Sequence, residues 1–338
     1  MNAFPLRPSP AQALGREPRV AVVGCGAWGR NHVRNYAELG ALEALVDRSA
    51  DVVAALQAQH GGRALSLDEA LADPAIDAVA FAMPPVQHHP LGKRALEAGK
   101  HVFIEKPMSL ATAQGAELVA LAEERGLTLM VGHILQYHAV FAALRDLVRG
   151  GRLGRLRHVT SRRLAFGRVR RPEDVLWELA PHDLSMILGL TGTEPERVEA
   201  VGAYHLSESI ADLASLHLAF PGNVTADVQV SWLHPVKEHR LVVIGTEAMA
   251  VFDDGEPWER KLVLYPLRVE TGGELPVLTP APGEAVAVAR TEPLKEELRH
   301  FLACIRDGRR PLTDGREGLA VLRVLEQASA ALRAKRPS

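Results

Sequence analysis

Cysteine is almost absent: only Cys25 and Cys304 occur in 338 residues. Two thiols cannot build a disulfide framework, and neither sits at a metal-ligand spacing, so no metal site is expected. Net charge is equally scarce. The 39 basic residues nearly balance 41 acidic ones, leaving −2. Nothing global therefore points to nucleic acid or to an anionic membrane. Long apolar runs are missing too, with none near the roughly 20 residues of a membrane span. The first 18 residues hold four prolines and no apolar signal core. Residues 1–18 are expected to be a flexible tail rather than a secretion signal, and a reducing cytoplasm is the expected compartment. What is plentiful is apolar material, 47% of the chain. That is ample for a sizeable core in about two domains.

From Arg19 to Gly132 short apolar runs alternate with helix-like stretches, the signature of βαβ units and a parallel sheet. The runs are Val20–Val23, Leu42–Val46, Ala78–Ala82, Val102–Ile104 and Leu127–Val131. Between them Ser49–His60, Pro90–Ala98 and Ser109–Arg125 have helical spacing, with Ser109 the expected N-cap of the last. The texture then changes. A helix-like stretch, Ala139–Arg149, leads into the turn cluster Gly150-Gly151-Arg152-Leu153-Gly154. Beyond it, β-branched and alternating residues fill Leu156–Arg163, Arg197–Ala203, Ala214–Phe220, Val224–Trp232, Arg240–Ile244 and Leu262–Tyr265. Pro221-Gly222-Asn223 is a hairpin signal. No parallel crossover helices intervene, so residues 133–338 are read as a second α/β domain with an open, mostly antiparallel sheet. One helix, Pro172–Leu190, is inserted, and two more, Glu292–Arg306 and Gly315–Ala334, close the chain.

Gly24-Cys25-Gly26-Ala27-Trp28-Gly29 follows the first strand and precedes a helix. The first glycine allows a tight turn, the second lets a pyrophosphate approach the backbone, and the third lets helix pack on strand. Residues 19–132 thus read as a dinucleotide-binding Rossmann domain. Asp47 ends the second strand, where an acidic residue binds the adenosine ribose hydroxyls and repels a 2′-phosphate. NAD is the expected cofactor, with Arg48 leaving NADP possible. Asp47 as a mere cap of the helix near Ser49 is the plainer alternative. Met83-Pro84-Pro85 after a later strand would line the nicotinamide side, with His88 or His89 orienting the next helix and Pro84 and His88 as candidate cofactor contacts.

Glu105-Lys106-Pro107 closes the run His101–Ile104. A carboxylate and an ammonium are thereby lifted from the carboxyl end of a strand, where open α/β sheets hold ligands. The ammonium can stabilise alkoxide charge, and the Lys106–Pro107 bond is a candidate cis peptide. Downstream, Trp177-Glu178-Leu179-Ala180-Pro181-His182-Asp183 opens an apolar helix. His182 suits proton removal from a hydroxyl; its plainer role is helix capping with Asp183. Glu178 is four residues earlier and could share a helical face, although Pro181 predicts a break just before His182.

These motifs, with Ala98-Gly99-Lys100-His101 and Val131-Gly132-His133, resemble in their order the glucose–fructose oxidoreductase / inositol dehydrogenase / rhizopine catabolism (Gfo/Idh/MocA) family. The resemblance covers nearly the whole chain after the tail. It implies that Lys106 contacts substrate, that Glu105 lies by the nicotinamide ribose, and that His182 is the acid/base. It also implies dimers or tetramers built through the C-terminal sheet. Inositol-dehydrogenase-like members carry aspartate where this chain has Glu178, which is one methylene longer. Five arginines, Arg162, Arg163, Arg168, Arg170 and Arg171, precede the histidine segment. Guanidinium forks suit diphosphates and carboxylates; a solvated edge strand or a subunit contact is the alternative. This stretch resembles members that oxidise the 3-hydroxyl of UDP-N-acetylglucosamine or its uronic acid. The expected activity is therefore NAD(P)-dependent oxidation or reduction of a sugar, with Tyr137, Arg163, Arg168, Glu178 and Asp183 as candidate substrate contacts. The alternatives are an inositol or free-sugar dehydrogenase and a non-enzymatic, dinucleotide-binding regulator.

Overall fold

A computed structural model describes residues 13–167, 174–270, 275, 277–279 and 281–334. The chain divides into two compact units. Of the described residues, the first comprises 13–137 with Glu292–Arg323. It opens with β1 (Val20–Val23), α1 (Gly29–Glu38), β2 (Leu42–Val46), α2 (Ala50–His60) and β3 (Arg63–Ala64). There follow α3 (Leu67–Ala72), β4 (Ala78–Phe81), α4 (His88–Glu97), β5 (His101–Glu105), α5 (Thr112–Glu124) and β6 (Leu129–Gly132). The strands form one parallel sheet in the order β3-β2-β1-β4-β5-β6. Every residue of β1 and β4 is buried, which is why their sequences, VAVV and AVAF, are unbroken apolar runs. The strand order reverses between β1 and β4, and such a switch point opens a crevice at the strands' carboxyl ends.

The core of this unit joins Val22, Val33, Tyr36, Leu45, Phe103 and Met130 to Leu298, Phe301 and Ile305. The last three belong to the helix Pro293–Asp307. The unit therefore includes a C-terminal segment that the sequence boundary at 132/133 assigns to the second domain. Helical spacing shows that this helix buries one face but not which core receives it. Composition likewise predicts a tail through residue 18, yet Leu14 and Gly15 donate to the carbonyls of Ile305 and Arg306 at 3.2 and 3.0 Å. Arg16 forks onto Asp77 at 2.7 and 2.8 Å. The described end of the expected tail is docked. Ser109 is not the cap of α5 either. The helix starts at Thr112 with Ala111 before it, and Ser109 Oγ donates to the Ala111 carbonyl at 2.9 Å.

The second unit comprises the described residues of 138–291 with 324–334. It contains α6 (Ala139–Arg149), β7 (Leu156–Phe166), α7 (Val175–Thr191), β8 (Arg197–Ala203), β9 (Leu213–Phe220) and β10 (Val224–Ser231). Next come β11 (Leu233–Gly245), β12 (Ala248–Asp253), β13 (Leu262–Pro266), β14 (Arg268–Glu270), β15 (Val277–Thr279) and β16 (Glu284–Ala285). Eight strands form one sheet, β16-β13-β12-β11-β7-β10-β9-β8, while β14 and β15 pair separately. The large sheet is open and mostly antiparallel, as expected. Among the described residues the β7–β10 pair alone of its pairs is parallel, with α7, β8 and β9 intervening in the chain. The β9–β10 hairpin turns through Gly222 at φ +76° and Asn223 at φ +59°, left-handed conformations that explain the Gly-Asn pair. Strand β12 has no counterpart among the runs read from sequence. The chain ends with α8 (Pro293–Asp307) and α9 (Gly315–Ala334), and the division between units falls inside α9.

Candidate active site

The glycine turn is built by packing at two of its glycines and left open at the third. Gly24 has φ +87°, and a Cβ there would lie 2.9 Å from the Ala82 carbonyl oxygen. A Cβ on Gly29 would lie 1.7 Å from the Gly24 carbonyl oxygen. Gly26 has nothing within 4 Å of the space a Cβ would take, and Gly26, Ala27 and Trp28 are exposed. An open backbone face just before α1 suits a pyrophosphate, because the free N–H groups and positive pole of a helix lie there. Asp47 stands beside it. Its Oδ2 accepts from the Cys25 amide at 2.7 Å and its Oδ1 from the Ser49 amide at 2.9 Å. The cap of α2 is Ser49 itself, which accepts from Val52. Asp47 therefore belongs to the turn, where its carboxylate suits ribose hydroxyls. Arg48 is exposed.

Glu105 ties the end of β5 to α1. Its Oε1 accepts from Trp28 Nε1 at 2.6 Å and lies 2.8 Å from His32 Nε2. Its Oε2 takes the Lys106 amide at 3.3 Å. A Cβ on Gly132 of β6 would come within 3.0 Å of that oxygen, so the carboxylate lies against bare backbone. Burial opposes its charge, but the hydrogen bonds from His32 and Trp28 and the charge of Lys106 together hold it below the usual carboxylate range. Lys106 follows, half-buried, and its bond to Pro107 is cis. His88 is fully buried. Its Nδ1 lies 2.8 Å from the Pro107 carbonyl and its Nε2 2.8 Å from that of Met83. Burial pushes its imidazole below the ordinary value. With both nitrogens on main-chain carbonyls, His88 joins the loops after β4 and β5 and presents no ring nitrogen to a ligand. Pro84 is exposed on the first of these loops. Tyr137 turns its hydroxyl to Thr313 Oγ1 at 3.0 Å, inside the first unit.

In the second unit, α7 runs unbroken from Val175 to Thr191 through Pro181. Its N-cap is Asp174, which accepts from the Trp177 amide at 3.0 Å. The expected break before His182 does not occur, and His182 sits inside the helix rather than at its start. Continuity puts Glu178 and His182 on one face, and Trp232 Nε1 donates to Glu178 Oε2 at 2.8 Å. Asp183 faces the sheet, 1% exposed. It accepts from Ser161 Oγ at 2.7 Å and from Arg163 Nε and Nη2 at 2.7 and 3.2 Å. Neither Asp183 nor Arg163 is thus turned to substrate; they pin α7 to β7. His239 pairs with Arg163 across the β7–β11 ladder. Burial, then the charges of Arg163 and Lys237, push it down to about 4. Arg162 lies 3.7 Å from Glu238, while Arg168, Arg170 and Arg171 lie outside the described residues.

One participant escapes the sequence motifs, and so does the partner of another. His32 is four residues after Trp28, a helical spacing that brings both to one carboxylate. His133, at the end of β6, meets Glu317 Oε2 at 2.6 Å; nothing local in the sequence announces that partner. Among the described residues no cluster of His, Cys, Asp and Glu could hold a metal ion, and no helix is long and apolar enough to cross a membrane.

Comparison with known proteins agrees with this geometry. Residues 18–133 match the GFO/IDH/MocA oxidoreductase family, NAD-binding Rossmann fold, and residues 141–251 match the GFO/IDH/MocA C-terminal domain. The UDP-N-acetylglucosamine 3-dehydrogenase of Acidithiobacillus ferrooxidans is 31% identical over 94% of this chain and 97% of its own. Its solved structure superposes with a TM-score of 0.83, at 30% identity, covering 94% of this chain and 99% of that one. The D-apiose dehydrogenase of Paraburkholderia graminis is 25% identical over 90% of this chain and 85% of its own. The aldose-aldose oxidoreductase of Caulobacter crescentus, solved with glycerol, gives a TM-score of 0.80 at 26% identity, covering 95% of this chain and 99% of that one. The chain belongs to the GFO/IDH/MocA family of NAD-binding oxidoreductases.

Proposed function

We propose that the protein moves hydride between a nicotinamide cofactor and a secondary alcohol or ketone of a sugar. The first candidate is the 3-position of a UDP-N-acetylglucosamine-type nucleotide sugar. The observation that carries this reading is Lys106. It directly follows Glu105, which is hydrogen-bonded to Trp28 and His32 of the glycine turn and α1. The bound nicotinamide supplies the hydride acceptor in the oxidative direction. His182 takes the hydroxyl proton, a task suited to an imidazole near neutral pH. The Lys106 ammonium stabilises the negative charge that grows on the oxygen. Glu178 shares a face of α7 with His182. Its hydrogen bond from Trp232 fixes the carboxylate.

The near full-length likeness to a UDP-N-acetylglucosamine 3-dehydrogenase supports the nucleotide sugar. A free-sugar substrate is the second reading. It is favoured by the commitment of Arg163 to Asp183, which removes one candidate diphosphate contact, and by the likeness to D-apiose dehydrogenase. Assembly into dimers or tetramers through the open sheet belongs to the same proposal. Strand β9 alternates between buried and half-buried positions, leaving one face of the sheet for a partner copy.

Turnover with NAD measured on UDP-N-acetylglucosamine, its uronic acid, D-apiose and inositols tests the reading. Lys106→Ala and His182→Ala should each lower turnover by at least about a hundredfold, with NADH affinity little changed. Activity confined to uncharged sugars would shift the assignment to the second reading. Near-normal turnover in either variant would remove that residue from the mechanism.

A further inference from the structure

Glu297 is an acid in the wrong place for an ordinary surface charge. It lies on α8 between Leu294, Leu298 and Phe301, and it is 0% exposed. Neither carboxyl oxygen has a hydrogen-bond partner among the described residues. Several other buried atoms of the same unit share that condition, among them the Tyr36 hydroxyl and Nδ1 of His32, both residues of α1 at 0% exposure. The rings of His32 and Tyr36 are 6.3 Å apart, one helical turn along α1. Tyr36 and Tyr137 both lie in the field of Glu297, and Glu297 in that of Glu105 and Glu317.

Orphaned polar atoms in a core are rare because each is costly, so these groups, set in the core where Tyr36 packs with Leu294, Leu298 and Phe301, call for a joint account. A carboxylate buried beside two other acids, with no cation bonded to it, is unfavourable as an anion. As a carboxylic acid the same group carries one O–H donor. His32 supplies the complement. If Nε2 donates its proton to Glu105, a neutral ring leaves Nδ1 as an acceptor. The Tyr36 hydroxyl can both accept and donate. With water bridging the first two gaps, the donors can run one way, from Glu297 to Tyr36, to His32 and on to Glu105, the last link being the observed one.

We infer that Glu297 is a positioning residue of the cofactor site. Held as a neutral acid, it acts through the Tyr36 hydroxyl by way of internal water, to fix the His32 tautomer that donates to Glu105. Burial and the neighbouring carboxylates, which push Glu297 well above the usual carboxylate range, agree with this. The inference rests on the dinucleotide site and not on the identity of the sugar. Its tests read binding and spectroscopy, so a wrong substrate assignment leaves it standing.

The difference infrared spectrum between wild type and Glu297→Gln at neutral pH should contain the carbonyl stretch of one protonated carboxylic acid. Glu297→Gln keeps a donor and an acceptor and should bind NADH like wild type. Glu297→Met keeps the length but no hydrogen bond, and should raise the NADH dissociation constant about tenfold without lowering the melting temperature. In a His32→Asn background the methionine change should add nothing further. Absence of the acid band, wild-type NADH binding by Glu297→Met, or full additivity with His32→Asn would each overturn the inference. If Glu297→Met does not fold, the infrared band and the binding of Glu297→Gln decide.

Discussion

Arg163 holds Asp183 by a two-point hydrogen bond, Nε to Oδ2 at 2.7 Å and Nη2 to Oδ1 at 3.2 Å, and Asp183 is the chain neighbour of His182. The pair is nearly sealed from solvent, with side chains 11% and 1% exposed. Removing one partner strands the other. Arg163→Ala should therefore destabilise the second unit by about 3–5 kcal/mol, the cost of leaving a buried charge unpaired, and lower the turnover number through His182. A diphosphate contact would behave differently, raising the Michaelis constant of a nucleotide sugar at unchanged melting temperature. Calorimetry and steady-state kinetics on this one variant separate the two.

Gly26 offers the converse test. No atom lies within 4 Å of its missing Cβ, so Gly26→Ala should fold and melt like wild type. The added methyl projects into the space assigned to the pyrophosphate, and NADH affinity should fall at least about tenfold, on the order of one lost hydrogen-bonded contact. Unchanged affinity by fluorescence titration would place the dinucleotide elsewhere.

Asp47 should set the choice between cofactors. Its carboxylate repels a 2′-phosphate, while Arg48 beside it is exposed. Wild type should prefer NADH, and Asp47→Ser should move the ratio of the two dissociation constants toward NADPH by at least about tenfold. Parallel titrations with both cofactors measure it. A ratio that does not move would give the choice to another residue.

His101 should make the first unit acid-labile. Its Nδ1 accepts from the Thr128 amide at 2.9 Å, so the ring is held neutral. Burial, partly opposed by Asp77, pushes its pKa from 6.5 down to about 4. A depressed folded value means that the unfolded chain binds more protons between those limits. The stabilisation is complete above about pH 6.5 and is lost as pH falls toward 4, a loss of roughly 3 kcal/mol from this group. His101→Asn retains an acceptor without the titration. Its melting temperature should depend less on pH across that window, and an unaltered slope would clear His101 of the effect.

Much of the fold is legible in the sequence because its signals are local. The bounds of β1, β2, β8, α6 and α9 coincide with the runs that predict them, and the glycine turn announces itself by composition. The rest depends on distant partners. Spacing in Leu294, Leu298, Phe301 and Ile305 calls for a helix but is silent about which core receives it. Pro181 locally predicts a break, yet α7 continues because Val175, Leu176, Leu184, Ile187 and Leu188 on either side are buried. Tertiary packing outweighs one lost backbone bond. Arg163 reads as a ligand for phosphate until Asp183 is seen to occupy it. Glu297 had a signal that spacing could have supplied, since it falls three residues after Leu294 and four before Phe301, on the apolar stripe.

Asp47 and Glu105 are hydrogen-bonded to the glycine turn and to α1 by groups of the chain itself. The ordering entropy of that pocket is thus spent during folding rather than at encounter. A dinucleotide meets walls already in shape, and arrival need not wait for a rearrangement. Differences between related cofactors should then appear chiefly in how long each stays, in the dissociation rate and not in the rate of capture.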